Sequence, residues 1–207
     1  MSAQLLSGKP VAEAVLADVK KRVAVLAKKG ITPGLGTILV GEDGASAGYV
    51  RKKHEMCEDL GISSFSEELP SGSCQADLLA LVEKFNNEPT LDSYLIQNPV
   101  PRGFNFNEAL LAMAPAKDAD GLHPMNLGKL VLQEPGPQPC TPAGIRAILK
   151  YYEIPVAGSE VVIVGRGPTL GRPLALIFTL KQDGANAAVT VVHTGVPDIA
   201  AYTRRAD

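Results

Sequence analysis

Residues 160–193 read EVVIVGRGPTLGRPLALIFTLKQDGANAAVTVVH, and they predict a strand, a glycine-rich turn, a helix and a second strand. The apolar runs 160–164 and 188–193 have the length of buried strands, and residues 170–181 between them have the length of a helix. Two strands joined by a crossover helix of this length form a parallel βαβ unit. We therefore expect an α/β fold built on a parallel sheet.

A glycine turn joins the first strand of this unit to its helix. Gly165, Gly167 and Gly171 lie in the turn, where missing side chains let the backbone approach a pyrophosphate, whose charge the helix N-terminus meets. The spacing has one residue more before the last glycine than the usual fingerprint G-x-G-x-x-G. The turn indicates a dinucleotide site. A glycine turn needed only to pack the helix on the strand is the alternative.

Charge around the turn indicates which dinucleotide binds. NAD sites usually carry an acidic residue after the second strand, which bonds the ribose 2′-hydroxyl. Here that strand ends at His193, Thr194 and Gly195 without an acid, and Arg166 lies in the glycine turn. A guanidinium and a hydroxyl suit a 2′-phosphate, so we expect NADP rather than NAD. A solvated loop residue is the alternative interpretation of Arg166.

The rest of the chain also alternates strands with helices. Predicted strands cover residues 34–41, 63–67 and 93–97, and predicted helices cover residues 10–29, 46–61, 73–87, 107–114, 142–152 and 197–205. The alternation predicts a parallel α/β sheet in the first half of the chain as well. Residues 115–142 are rich in Pro, Gly and Asp, so we expect a long loop and the domain junction there. The predicted domains are residues 1–140 and residues 141–207.

Composition narrows the class of protein. The 207 residues carry a net charge of −2 and are 45% hydrophobic, which is typical of a globular protein without global attraction to nucleic acid or anionic membranes. No apolar run approaches the ~20 residues that span a bilayer. Cys57, Cys74 and Cys140 are far apart and lack a C-x-x-C pair. We therefore expect neither disulfides nor a zinc site, and a reducing, cytoplasmic location.

Residues 46–61, SAGYVRKKHEMCEDLG, predict a helix with polar chemistry on one face. Ser46 is a good N-cap, Gly61 suits the C-terminus, and Tyr49 and Lys53 lie one turn apart. A lysine amine has an ordinary pKa of ~10.4 and shuttles protons near neutral pH only when its surroundings lower that value. Taken alone, the pair is typical of an ordinary helix surface.

Later loops carry further polar candidates. Gln97 ends a predicted strand, where ligands bind in α/β sheets, although glutamines are common at strand ends. Asp118 and Asp120 lie in the segment KDADG and could bind a polar ring or a metal ion. The segment lacks the other ligands of a calcium loop, so we expect no metal site.

Five segments, taken in order, carry a resemblance to a known family. They are YVRKKHEMCEDLGI (49–62), YLIQNPVP (94–101), KDADGLHPMNLGKL (117–130), PCTPAGI (139–145) and VVIVGRGPTLGRP (161–173). Together they resemble the bifunctional methylenetetrahydrofolate dehydrogenase/cyclohydrolase family, over nearly the whole chain. The resemblance implies an N-terminal parallel-sheet α/β domain and a Rossmann NADP-binding domain flanking a cleft, usually in a cytoplasmic homodimer. It also implies NADP-dependent oxidation of 5,10-methylenetetrahydrofolate and hydrolysis of the methenyl product to 10-formyltetrahydrofolate.

The resemblance also implies roles for individual residues. Lys53 would handle protons with Gln97 as its partner, Tyr49 would stack on the folate, and Asp120 would bind the pterin. Substrate would contact the same four residues and two neighbours, Ile96 and Asn98. NADP would contact the turn and the end of the second strand, at Gly165, Arg166, Gly167, Gly171 and Thr194.

Two departures from the family pattern leave alternatives open. Asn98 replaces a leucine beside the expected substrate, and the family pattern continues beyond Asp207. We therefore expect an incomplete Rossmann domain. The alternative function is a truncated, non-catalytic homologue that binds folate or a partner chain. A generic dinucleotide dehydrogenase is a weaker alternative, because it has no reason to carry the Tyr49, Lys53 and Asp120 motifs.

Overall fold

The computed structural model describes residues 4–207 and divides them into two compact units. The N-terminal unit is Ala14–Pro124, and the C-terminal unit is Met125–Asp207 with the described residues up to Glu13. The domain limits 1–140 and 141–207 stay a prediction, because a compact unit and a functional domain are different divisions of a chain.

A three-stranded parallel sheet forms the centre of the N-terminal unit. Its strands are β1 (Gly34–Val40), β2 (Ser63–Leu69) and β3 (Ser93–Ile96), in the order β2-β1-β3. Its helices are α1 (Gly8–Ala27), which begins in the C-terminal unit, α2 (Gly44–Leu60), α3 (Gln75–Asn87) and α4 (Phe106–Ala112). The predicted alternation of strands and helices is confirmed.

The two faces of the central strand β1 have different roles. Successive side chains of a strand point to opposite faces, so Ile38 and Val40 pack with Leu78 and Val82 of α3 in the main core. Thr37, the residue before Ile38, points to the opposite face, where it is fully buried and hydrogen-bonded to His54 of α2. The sheet therefore buries a hydrocarbon layer on one face and a polar contact on the other.

The starts of α2 and α3 differ from the predicted ones. Asp43, not Ser46, caps α2: the Asp43 carboxylate accepts a 2.8 Å hydrogen bond from the Ser46 backbone N–H and is attracted by the positive helix end. Cys74 is the N-cap of α3, one residue after the predicted start at residue 73, and its backbone N–H donates to the Asp77 carboxylate. The predicted end of α2 is confirmed, because Gly61 is left-handed there, with φ of 76°.

The long loop predicted for residues 115–142 is only partly a loop. It contains a 3₁₀ turn, Pro115–Lys117, and the helix α5, Pro124–Leu132. Asn126 and Leu130, four residues apart, are the buried residues of α5. The prediction failed because the apolar residues of α5 are not confined to one face, and its Gly and Pro content is typical of a loop.

A two-stranded parallel sheet forms the centre of the C-terminal unit. The strands β4 (Glu160–Val164) and β5 (Ala188–Val192) are joined through α7 (Gly171–Thr179), which confirms the predicted βαβ unit. The helices α6 (Cys140–Tyr151) and α8 (Ala200–Thr203) complete the unit. Among the described residues, no helix has the length and apolar character needed to cross a membrane.

Candidate functional site

Lys53 on α2 contacts the end of β3 through its amine. Lys53 Nζ donates a 2.8 Å hydrogen bond to Gln97 Oε1, across 44 residues of sequence. Gln97 Nε2 donates to the backbone oxygen of Asn98 at 2.8 Å, which turns the amide oxygen toward the lysine. An ammonium has three N–H donors, so the contact with Gln97 orients the amine and leaves further donors for a ligand.

Tyr49 lies one helical turn before Lys53, and its side chain is 61% exposed. An exposed ring beside an oriented amine can stack on a flat ligand. Cys57 continues the same row but is buried, and burial raises the pKa of its thiol. The polar row of α2 therefore ends in the hydrophobic core, and its chemistry is confined to Tyr49 and Lys53.

Asp118 shapes the loop that follows β3. Asp118 is 3% exposed, and its carboxylate accepts hydrogen bonds from the backbone N–H groups of Gly121, at 3.0 Å, and His123, at 2.8 Å. The backbone N–H of Ala119 donates to the backbone oxygen of Tyr94 in β3. Asp118 is thus a structural clamp, a role that sequence reasoning missed. The signal was present, because an aspartate at the first position of a turn with a glycine three residues later, as in Asp118 and Gly121, is typical of a type I turn.

Asp120 lies in the loop that Asp118 holds, close enough to Lys53 for the two charges to interact. Burial raises the pKa of the Asp120 carboxyl, the Lys53 charge opposes that rise, and the Asp118 charge adds to it. A half-buried carboxylate near an amine can accept short, charge-assisted hydrogen bonds from a heterocycle bearing N–H groups.

The Lys53 cluster, defined as Tyr49, Lys53, Gln97 and Asp120, offers an aromatic face, an amine and a carboxylate within the N-terminal unit. The two neighbouring residues that were also predicted to contact substrate differ in their exposure. Ile96 is buried in the core, so its side chain is not available to a ligand, whereas the Asn98 side chain is exposed. The arrangement can hold a planar, polar ring and move a proton at its edge.

The glycine turn between β4 and α7 is as tight as its sequence predicts. A Cβ atom on Gly171 would lie 2.3 Å from the backbone oxygen of Gly165, and Gly165 has φ of 132°. A Cβ atom on Gly167 would meet no atom within 4 Å. The backbone at Gly167 is therefore open beside the N-terminus of α7, as a bound pyrophosphate requires.

Donors converge on His193, after the end of β5. Arg166 Nη1 lies 3.1 Å from His193 Nε2, and the backbone N–H of Gly195 donates to His193 Nδ1 at 3.1 Å. A neutral imidazole has one acceptor nitrogen, so it cannot accept from both groups. The hydrogen-bond donors around His193, with the exposed Thr194 beside them, suit an anion. The sequence placed His193 at the end of the second strand but did not indicate its contact with Arg166.

Two family models match the chain. The model described as tetrahydrofolate dehydrogenase/cyclohydrolase, catalytic domain, matches residues 6–120, and the model described as its NAD(P)-binding domain matches residues 139–207. The chain belongs to this family. The catalytic-domain match of the dehydrogenase/cyclohydrolase family contains the Lys53 cluster, and the NAD(P)-binding match contains the glycine turn and His193.

Individual members of the dehydrogenase/cyclohydrolase family are closely similar to the chain. The bifunctional protein FolD of Syntrophotalea carbinolica is 67% identical over 207 residues, which are 100% of this chain and 71% of the relative. The crystal structure of FolD from Campylobacter jejuni superposes with a TM-score of 0.94 at 37% identity, covering 100% of this chain and 72% of the other.

A family member from Trypanosoma brucei bears on the cofactor. Its crystal structure, described as complexed with NADP cofactor and inhibitor, has a TM-score of 0.92 and 36% identity, covering 100% of this chain and 71% of the other. The expected fold class and the family resemblance are both confirmed.

Proposed function

We propose that the chain oxidises 5,10-methylenetetrahydrofolate to 5,10-methenyltetrahydrofolate with NADP and hydrolyses the product to 10-formyltetrahydrofolate. The observation that carries the proposal is the oriented Lys53 amine, bonded to Gln97 and within electrostatic reach of Asp120. Membership of the dehydrogenase/cyclohydrolase family supports it.

The residues of the C-terminal unit fit NADP. The open backbone at Gly167 and the N-terminus of α7 suit the pyrophosphate, and Arg166, His193 and Thr194 suit the 2′-phosphate. When bound, NADP supplies the acceptor for the hydride of the methylene carbon. The two nitrogens that flank this carbon share the resulting positive charge, so the protein mainly orients the partners.

Each residue of the Lys53 cluster has a separate role toward the folate. Tyr49 stacks on the ring system, and Asp120 accepts hydrogen bonds from the amino-pyrimidine edge. In the hydrolysis, water adds to the cationic methenyl carbon and gives up one proton, which leaves a hydroxyl on that carbon. One C–N bond then breaks as the hydroxyl gives up its proton to become the formyl oxygen and the departing nitrogen takes up a proton, so one proton is released overall. Lys53, held by Gln97, carries protons between these atoms.

Two parallel assays test the proposal. The chain is incubated with methylenetetrahydrofolate and NADP while NADPH formation is followed, and separately with methenyltetrahydrofolate while its hydrolysis is followed. We expect both reactions. A folded chain that binds folate and supports neither would favour the non-catalytic homologue instead.

We also propose that the chain works as a cytoplasmic homodimer, which the family relationship supports. Sedimentation equilibrium measures the oligomeric state directly. A monomer at micromolar concentration would contradict the dimer.

Arg166→Ala is expected to weaken NADP binding roughly 10- to 100-fold and to leave NAD binding within about twofold, because a charge-assisted bond to phosphate contributes ~1.5–3 kcal/mol. Titration of both dinucleotides by calorimetry measures the difference. Arg204→Ala, at an exposed arginine of the same unit, is the matched control. An equal loss of NADP and NAD affinity would show that Arg166 does not read the 2′-phosphate.

Gly171→Ala is expected to destabilise the glycine turn by ~1–3 kcal/mol, because the new methyl group would overlap the Gly165 carbonyl oxygen. NADP affinity should fall while folate binding is retained, as measured by titration of each ligand. Gly144→Ala in α6 is the control, since a Cβ there meets no atom within 4 Å. Unchanged NADP affinity in Gly171→Ala would contradict the role of the turn.

A further inference from the structure

His54 links α2 to two strands of the sheet through one imidazole ring. His54 Nε2 lies 2.9 Å from Thr37 Oγ1 on β1, and His54 Nδ1 is hydrogen-bonded to Ser64 Oγ on β2. The Thr37 hydroxyl also lies 3.4 Å from Ser66 Oγ. Each hydroxyl can donate or accept, so a neutral ring satisfies both of its nitrogens in either tautomer.

The anchor point is rigid because Thr37 is fully buried on the central strand. Thr37 is paired with Leu95 of β3, two residues before Gln97. The sheet that holds the imidazole therefore also carries the residue that receives the Lys53 amine. Consecutive residues of a helix project about 100° apart, so fixing His54 on the sheet fixes the direction in which Lys53 leaves α2.

We propose that His54 is a positioning residue that sets the rotation of α2 on the sheet and thereby holds Lys53 Nζ at Gln97 Oε1 for the hydrolysis. The inference rests on the proposed function of Lys53. It assigns to His54 a role through Lys53, without contact with the substrate.

The surroundings of the His54 ring favour its neutral form. Burial lowers the pKa of His54, the neighbouring Lys53 charge lowers it further, and Glu68 of β2 opposes both. From β1 the facing group is the uncharged Thr37 hydroxyl. The unfolded chain therefore protonates His54 more readily than the folded chain does. The free energy of unfolding consequently decreases as the pH falls below ~6.5. Protonation also places a second cation beside Lys53.

His54→Leu, His54→Gln and Thr37→Val test the linkage by kinetics. We expect His54→Leu to lower kcat for methenyl hydrolysis about tenfold while KM stays within about twofold, because a small displacement of a catalytic group lowers the rate. The ratio of dehydrogenase to hydrolase activity should rise.

His54→Gln should restore most of the hydrolysis, because its amide nitrogen reaches the position of Nε2. Thr37→Val should resemble His54→Leu, and Lys52→Gln, an exposed neighbour, should resemble the wild type.

The pH profile separates positioning from simple support of the fold. The acid limb of the hydrolysis profile should contain the His54 ionisation in the wild type and lose it in His54→Gln. A fall of both activities in equal proportion, with an unchanged profile, would overturn the inference.

A spectroscopic measurement makes the test independent of turnover. In protein labelled with ¹⁵N-lysine, the Nζ signal of Lys53, assigned through Lys53→Met, should shift in His54→Leu and return in His54→Gln. An unmoved signal would overturn the positioning role. If the wild type hydrolyses no substrate but the signal moves as expected, the proposed function fails while the positioning of Lys53 by His54 stands.

Discussion

Lys53→Met is expected to lower kcat for methenyltetrahydrofolate hydrolysis at least about 100-fold, because general acid–base groups typically contribute that much. Methionine has a similar length but carries no proton, and it cannot donate to Gln97 Oε1, which lies 2.8 Å from the amine in the folded protein. NADP-dependent oxidation should persist, because it depends on orientation of the folate and the dinucleotide rather than on a proton from Lys53.

Stopped assays of both reactions on the same preparation measure this separation. Lys52→Met is the matched control, since Lys52 is the exposed neighbour on the same helix. Unchanged hydrolysis in Lys53→Met would disprove the role of the amine. Loss of both reactions with unchanged folate affinity would show that Lys53 also acts in the oxidation.

Asp118→Ala is expected to decrease the free energy of unfolding by about 2–4 kcal/mol, because it leaves two backbone N–H groups of a buried loop without their carboxylate acceptor. The loop also carries Asp120, so KM for folate should rise about tenfold or more. Urea denaturation and steady-state kinetics measure the two effects.

Two further variants serve as comparisons for Asp118→Ala. Asp59→Ala removes an exposed carboxylate and should change stability by less than about 0.5 kcal/mol. Asp118→Asn retains one acceptor oxygen and should lie between the wild type and Asp118→Ala. A stable Asp118→Ala protein with normal KM would contradict the clamp.

The elements of the fold were largely predictable because their signals are local. The βαβ unit around Gly165 follows from apolar runs and glycine spacing within one short segment. The cap of α2 was mispredicted because Asp43 and Ser46 are both good N-caps, and the choice depends on the direction of the incoming chain. The helix α5 was missed because its apolar residues are not confined to one face, and Met125 and Leu132 are exposed.

The site was less predictable because its contacts join distant residues. Lys53 is oriented by Gln97, 44 residues later, and His193 is approached by Arg166, 27 residues earlier. Helix periodicity places Tyr49 and Lys53 on one face but does not show what that face contacts. The residue pattern alone indicated the residue types of the site, and only the family resemblance implied that Gln97 is the partner of Lys53.

The order of the strands in the N-terminal sheet has a consequence for how the protein folds. β1 lies between β2 and β3, and Gln97 follows β3, the last of these strands to be synthesised. Pairing of β1 with β3 joins Thr37 to Leu95 and closes a long loop, which is slower than local pairing. Because Gln97 directly follows β3, the Lys53 amine meets its partner only after β3 has paired with β1. Folate binding that depends on this contact therefore reports a completed N-terminal sheet.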